Sequence, residues 1–260
     1  MNYRIKKYLK NHLPIRLIRI LHKIFYNLKQ FFSSEIISSK YGIRFKKNWI
    51  DRTFRIYIEA SYGYFFWDFL SGISTEFIFI DIGSNQGLYT ICAAKNKFCN
   101  AVYSFEPIDS TYFLLSENVS INKTSDKCHL FNKAISDQAG EFQISINKIH
   151  SGAATLRQLD KKNLNKKENI KTINHKNLNN IIKNEKNSKI ILKVDVEGFE
   201  EVVFKTLIKS NFFNKISTIF YEVDEKWVKP KILKKMLIEQ GFTEFIKKGN
   251  GRHYDIFAKR

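Results

Sequence analysis

The run Phe77-Ile78-Phe79-Ile80-Asp81-Ile82-Gly83-Ser84-Asn85-Gln86-Gly87 constrains the fold more than any other stretch. Its apolar start is too short, and too rich in aromatic and β-branched residues, for a helix, so it reads as a buried strand of a parallel sheet. An acid and two glycines then stop it. Gly83 and Gly87 bracket a tight turn, and Leu88 to Lys95 restore helical apolar spacing. A strand, loop and helix in that order place the chain in the α/β class, with ligand space above the helix N-terminus.

Charge narrows the ligand. Dinucleotide and P-loop sites bring a pyrophosphate against the loop and tolerate a carboxylate poorly, yet Asp81 stands at the strand end. S-adenosylmethionine (SAM) presents an ammonium and a sulfonium, for which an acid is attractive. The glycines form G-x-x-x-G rather than G-x-G-x-x-G, and no G-K-[ST] follows, which disfavours NAD and ATP. The bland alternative is that Asp81 caps the loop.

A second apolar run, Ala101 to Phe105, ends in Glu106 and Pro107. Glu106 follows Gly87 by 19 residues, the place where nucleotide folds set an acid against a ribose diol; read alone, it is a surface acid at a strand end. A third strand, His129 to Ile135, leads into Ser136-Asp137-Gln138-Ala139-Gly140, a turn with Asx chemistry, and Glu141 to Ile146 alternate as a further strand. Asp137, or the backbone around Ile135 and Ser136, is placed to meet an adenine, and a plain hairpin turn explains Asp137 equally well. The fourth landmark, Ile190 to Glu200, carries Lys193, Asp195 and Glu197 on one face of a buried strand or at its exit. Charges there need a reason: either a site or a structural Lys-Asp pair.

Together, DIGSNQGLYT, VYSFEP, AISDQAGEF and LKVDVEGFEEVVFKTL resemble the FkbM-type branch of SAM-dependent methyltransferases over roughly residues 77 to 222. The resemblance implies a class I methyltransferase fold: a Rossmann-like, doubly wound, mostly parallel sheet with a C-terminal antiparallel hairpin. It also implies methyl transfer to a hydroxyl of a sugar, glycan or small molecule. Asp81, Gly83, Asn85, Gly87 and Glu106 match SAM-binding positions and Asp137 the acid near adenine. Ser84, Tyr89, Thr90, Pro107 and Ser136 flank them in the same candidate set. Asp195 and Glu197 match the acidic pair facing the reaction centre, with Asp195 counted on the cofactor side too. Glu222 and His150 are lesser candidates for the base. A divalent cation held by these acids would serve the same end, and the sequence leaves the two routes open. Asn179 and Asn180 depart from the family by standing where acids are expected, and Gly152 to Leu156 resemble an acceptor-side loop to which no role is assigned.

A chain of 260 residues, 43% hydrophobic, suffices for one α/β domain, read here as residues 41–260, with a Lys/Asn-rich solvated insertion at about 157–189 and a helical extension at 1–40. Cys92, Cys99 and Cys128 lack metal-ligand spacing and read as reduced thiols of a cytoplasmic protein. The net charge of +19 raises the question of nucleic acid, but much of it lies in that Lys/Asn stretch, no RNA-binding module appears, and D-V-E-G is not the [DN]-P-P-[YF] signature of base methylation; nucleic acid is therefore not the expected partner. Lipid-linked glycan, capsular sugar, nucleotide sugar and secondary metabolite all remain compatible acceptors.

Residues 1 to 32 hold eight Lys/Arg and no acid, with Leu17, Leu21, Phe25, Leu28 and Phe32 at helical spacing. Such a helix either lies peripherally on a membrane, at its inner face, or docks through that stripe as a cover on the domain or on a second subunit, the reading favoured because apolar stripes are usually core. The aromatics between Tyr41 and Leu70 read mainly as packing, or as part of an acceptor lid. Lys215 to Tyr221, ending at Glu222, reads as a fifth strand, Trp227 to Gln240 as a helix stopped by Gly241, and Phe242 to Ile246 with Tyr254 to Ala258 as a hairpin. Two rival classes are a nicotinamide-dependent sugar oxidoreductase or epimerase and a non-catalytic membrane-surface binding protein. The first lacks its glycine loop and Tyr-x-x-x-Lys pair, and the second leaves Asp81, Glu106 and Asp195 without a purpose.

Overall fold

In chain order, the computed structural model opens with α1 (Ile15–Phe32), a small hairpin of β1 (Ile36–Ser38) and β2 (Arg44–Lys46), and helices α2 (Arg52–Glu59) and α3 (Tyr64–Gly72). Strands and helices then alternate as β3 (Phe77–Ile82), α4 (Leu88–Lys95), β4 (Cys99–Phe105), α5 (Asp109–Ile121) and β5 (Cys128–Phe131). After β6 (Ala134–Ile135), β7 (Gly140–Ile146) and β8 (Lys166–Ile173) come α6 (His175–Ile181), β9 (Lys189–Val194), α7 (Glu200–Ile208) and β10 (Ile216–Asp224). Helix α8 (Pro230–Glu239) and strands β11 (Glu244–Lys248) and β12 (His253–Lys259) end the chain. The structure describes residues 13–146, 166–182 and 188–260; His150, Gly152 to Leu156 and the first residues of the basic extension lie outside them.

The main sheet has seven strands in the order β11-β12-β10-β9-β3-β4-β5. Five are parallel, and β12 runs antiparallel between β10 and β11, so the doubly wound sheet with a C-terminal hairpin is present as expected. From β3 the chain steps outward through β4 and β5, then returns to lay β9 on the other side of β3. The crevice above β3 and β9 is the topological switch point, where ligands of such sheets bind.

Strand β3 is buried along its whole length, which is why it reads as an unbroken apolar run rather than an alternating one. Its residues divide between two cores by strand parity. Ile78, Ile80 and Ile82 join Leu192, Phe204 and Leu233. Phe77 and Phe79 join Phe45, Phe66, Leu115 and Phe220 under the N-terminal cover. Phe66 lies flat on Phe220, with ring centroids 4.2 Å apart. Most of the aromatic-rich segment thus packs as core, while Tyr57 and Tyr62 are left for the cavity described below.

Several elements differ from the sequence expectation. The third strand splits at Phe131, which pairs with Phe105 at the end of β4; with no partner beyond, Ala134 and Ile135 leave to pair with β8 in a separate three-stranded sheet with β7. The Lys/Asn-rich stretch is not solvated throughout, since β8 buries Ile170 and Ile173. Part of its asparagine content is capping chemistry: Asn174 and Asn177 form a capping box on α6. Helix α8 starts at Pro230, not Trp227, because the amides of Trp227 and Val228 are taken by the Asp224 carbonyl in a turn and proline suits the first helical position. Strand β10 runs past Glu222 to Asp224 because β12 pairs with it along its length.

The N-terminal helix differs most. Leu17, Leu21, Leu28 and Phe32 of the expected docking stripe are exposed, and α1 meets the domain through another side. Tyr26 stacks on Trp49, Gln30 accepts from the Trp49 amide (2.7 Å), Ser33 accepts from its indole Nε1 (2.8 Å), and the Lys29 ammonium sits 4.0 Å from its ring. A buried tryptophan needs partners for its polar atoms and attracts a cation to its face, which decides the side that docks. No described helix is long and apolar enough to cross a membrane, and the three cysteines are free.

Removing the Phe66 ring would take away the central contact between the N-terminal cover and the sheet. Phe66→Ala is expected to cost about 3–5 kcal/mol, measured as a lower urea midpoint with little change in slope.

Candidate active site

Parallel pairing of β3 with β9 sets Asp81 beside Lys193. The Lys193 ammonium lies 3.4 Å from Asp81 Oδ1 and 3.5 Å from Asp195 Oδ2, and it donates to the Gly83 carbonyl at 2.7 Å. Thr90 Oγ1 donates to Asp81 Oδ2 (2.7 Å) and touches Ser104 Oγ (2.8 Å). Burial raises the Asp81 pKa, opposed by Lys193. For Lys193 burial acts downward, but Asp195 and Asp81 outweigh it and the net shift is upward. The ammonium therefore stays charged between its two carboxylates.

Above this pair the two loops cross at van der Waals range. Gly83 has φ +77°, and a Cβ there would lie 1.8 Å from the Asp195 carbonyl oxygen, so no other residue fits; the Asp195 amide returns a hydrogen bond to Ile82 (3.0 Å). Ser84 Oγ donates to the Asp81 carbonyl (2.7 Å), Gly87 leaves room for Leu115, and Tyr89 packs edge-on against Phe66. Ser84, Gly87 and Tyr89 hold the loop rather than face the ligand space.

That space is a cavity of about 530 Å³ at the ends of β3, β4, β9 and β10 and the β11–β12 turn, closed on one side by α2 and Tyr62. Its size suits a small-molecule ligand. Ile82, Phe105, Ile108, Ala134, Ile135 and Ile170 supply apolar wall. Glu106 enters it with both oxygens held, Oε2 accepting from the Asn85 amide (2.9 Å) and Oε1 from the Ile108 amide (3.0 Å). Burial pushes its pKa up to about 7 against those two hydrogen bonds. The remaining lone pairs are fixed in direction, as bidentate recognition of a diol requires.

A second set of acids lines the same cavity. Asp195, Glu197 and Glu222 each bring a carboxylate oxygen to within 4.8 Å of the others. Glu197 adopts φ +51°, a left-handed backbone unusual for a glutamate. Glu200 holds this turn by accepting from the Val196 (3.2 Å) and Gly198 (3.1 Å) amides, and burial raises its pKa to about 6. Burial, and then the neighbouring carboxylates, raise both Glu197 and Glu222 above the ordinary range, so the pair retains a proton near neutrality. His253 Nε2 meets Glu222 Oε1 at 2.5 Å, which raises the imidazole and favours an imidazolium-carboxylate pair; the retained proton then belongs on Glu197. Register places Asp255 directly across from Glu222. Tyr62 donates to the Asp255 carboxylate, 3.0 Å from each oxygen, and burial lifts that group to about 7.

Of the residues singled out in the sequence, Gly83, Asn85, Glu106, Pro107, Asp195, Glu197 and Glu222 line the cavity. Asp81 lies beneath it, reached through Lys193, and Ser84, Gly87, Tyr89 and Thr90 support the loop. Ser136 and Asp137 do not line it: Ser136 bonds the Ile173 carbonyl through its amide and Asp137 through its hydroxyl (3.1 Å), and Asp137 is exposed. Asn179 accepts from the Asn211 amide (3.0 Å), a structural bond away from the cavity. Sequence reasoning missed His253 and Asp255, and held Tyr62 only among the aromatics of a candidate lid, since their approach depends on β10–β12 pairing; the available signal was an acid inside the apolar run Tyr254-Asp255-Ile256-Phe257. It also passed over Glu200, read there only as part of a motif.

The model of the methyltransferase FkbM domain matches residues 81–244. No curated relative matches at the sequence level. Among solved structures, the chain is similar to an rRNA methylase from Streptococcus thermophilus (12% identity, 75% of this chain and 94% of that one, TM-score 0.45). It is similar to TYW2 of M. jannaschii in complex with AdoMet (16% identity, 87% and 85%, TM-score 0.42), and to a ribosomal protein L11 methylase from Lactobacillus delbrueckii subsp. bulgaricus (14%, 75% and 76%, TM-score 0.41).

Two outcomes follow from the buried charges. Lys193→Met strands Asp81 and should cost about 3–5 kcal/mol, while Lys193→Met with Asp81→Asn should recover most of it; equal loss in single and double variants would deny the coupling. Glu106 and Asp255, both near 7 when folded, bind more protons in the folded than in the unfolded chain above the ordinary carboxylate range. Their stabilising protonation is lost as pH rises through about 7. The unfolding temperature of the ligand-free protein should therefore fall less steeply between about pH 5 and about pH 8 in Asp255→Asn than in the wild type.

Proposed function

The chain belongs to the methyltransferase FkbM domain family, and on that premise we propose that it transfers the methyl group of SAM to a hydroxyl of a sugar, glycan or small-molecule acceptor. It is a SAM-dependent methyltransferase, which sets the nicotinamide alternative aside. The observation that carries the hydroxyl reading is the trio Asp195, Glu197 and Glu222, three carboxylate oxygens within 4.8 Å of one another in the cofactor cavity. A hydroxyl is a poor nucleophile until its proton leaves, and this trio gives the proton a destination.

The residues present fit the cofactor. Gly83, which no side chain can replace, opens the loop to close backbone approach. Glu106 offers two oriented oxygens to a ribose diol, and Ile108, Ala134 and Ile135 offer an apolar slot to adenine. Asp195, beside the loop, adds negative charge suited to an ammonium or a sulfonium. SAM supplies a methyl group on a good leaving group, so the protein's main contribution is to hold the acceptor oxygen in line and keep bulk water away.

Proton removal falls to the acids. Asp195 is tethered to Lys193, which fixes its direction. Glu222 is oriented by His253, and burial with neighbouring carboxylates raises both it and Glu197, so this pair is the better base. The same three oxygens would also suit a divalent cation, which lowers an alcohol's pKa; a chelator separates the routes, because the direct-base route is insensitive to it. Tyr57 and Tyr62 bring aromatic surface to the cavity, consistent with stacking against a sugar.

With a panel of hydroxylated acceptors and methyl-labelled SAM, the product should carry an O-methyl ether. Turnover in the wild type should rise as pH climbs above neutrality, where the raised Glu197/Glu222 pair gives up its proton, and not near the ordinary carboxylate range. Glu222→Gln should lower kcat by about 10²–10⁴-fold with SAM affinity retained, whereas Asp195→Asn should weaken SAM binding as well as lower turnover. Label on nitrogen or carbon, or unchanged turnover in both variants, would overturn the assignment.

A further inference from the structure

We propose that the outward face of α1 is a docking surface for an anionic lipid bilayer. The helix is built the reverse way round for a cover. Its inward side is polar and aromatic, with Tyr26, Lys29 and Gln30 fastened to Trp49 and the Arg55 guanidinium 4.3 Å from the Tyr26 ring. Its outward side carries Ile20, Ile24, Leu28, Phe31 and Phe32, each at least half exposed, with Phe31 at 78% and Phe32 at 77%. Single exposed apolar residues are ordinary, but a stripe along a helix about 27 Å long marks an interaction surface.

Charge selects the occupant. Arg16 and Lys23, seven residues apart and so on one side of the helix, are exposed beside Ile20 and Ile24. No acid occurs before Glu35, and eight Lys/Arg lie within residues 1 to 32. A second copy of this chain would set these like charges against one another across the interface, whereas anionic headgroups would neutralise them while the apolar stripe enters the acyl boundary. The position also has a use. Trp49, on which α1 rests, directly precedes α2, whose Arg52, Thr53, Ile56 and Tyr57 line the cavity, so a bilayer held by α1 lies near the cavity wall.

The test is flotation of the full chain with vesicles of equimolar phosphatidylglycerol and phosphatidylcholine, against vesicles of phosphatidylcholine alone. The wild type should float with the first and not with the second, and high salt should release it. Ile24→Asp with Leu28→Asp should lower the bound fraction about tenfold or more, and Arg16→Glu with Lys23→Glu about tenfold. Both should leave the circular dichroism spectrum and unfolding temperature unchanged, since the replaced side chains are exposed. Failure of the wild type to float on anionic vesicles, undiminished binding by the apolar double variant, or a wild-type dimer in sedimentation that this variant splits without any vesicle binding would each overturn the proposal.

Discussion

The Lys193 ammonium ties together the two strand ends on which the site is built. It reaches Asp81 on β3, Asp195 beyond β9 and the Gly83 carbonyl between them, so one buried cation fixes both loops at the switch point. Burying three charges is expensive, and such groups gain their place through specificity of arrangement more than through stability. Here the arrangement is specific in a visible way. Gly83 and Asp195 approach so closely that any side chain at position 83 would collide with the 195 carbonyl, and only a fixed register of β3 against β9 permits that.

Around this anchor the cavity gathers acid in a chain whose net charge is +19. Glu106, Asp195, Glu197, Glu222 and Asp255 all line it, and burial raises the pKa of four of them. A fold selected for stability alone would not concentrate carboxyl groups where each opposes ionisation of the next. Their presence suits a cavity that binds a positively charged cofactor and removes a proton. The strained backbone at Glu197 and the grip of Glu200 on the turn beneath it belong to the same economy, since both fix where one carboxylate points.

Much of this was legible from local pattern. Strands β3 and β9, the loop glycines, Glu106 and the Asp195/Glu197 pair announce themselves because a buried run that ends in charge or glycine has few structural meanings. What was not legible depended on partners distant in sequence. The break between β5 and β6 is set by where β4 ends, and β8 is hidden in a Lys/Asn-rich composition that hides the two isoleucines it buries. Tyr62 and Asp255 are 193 residues apart and meet only after the hairpin joins β10. The α1 stripe was visible, but not its direction, because Trp49's need for hydrogen-bond partners outweighs the usual rule that an apolar face turns inward.

Calorimetric titration of the purified protein with SAM and S-adenosylhomocysteine, with NAD as control, tests the central assignment most directly. Micromolar binding of both adenosyl compounds, lost in Glu106→Ala and absent for NAD, is the predicted result. Binding of NAD, or adenosyl binding that survives loss of the Glu106 carboxylate, would contradict the placement of the cofactor above β3 and β9.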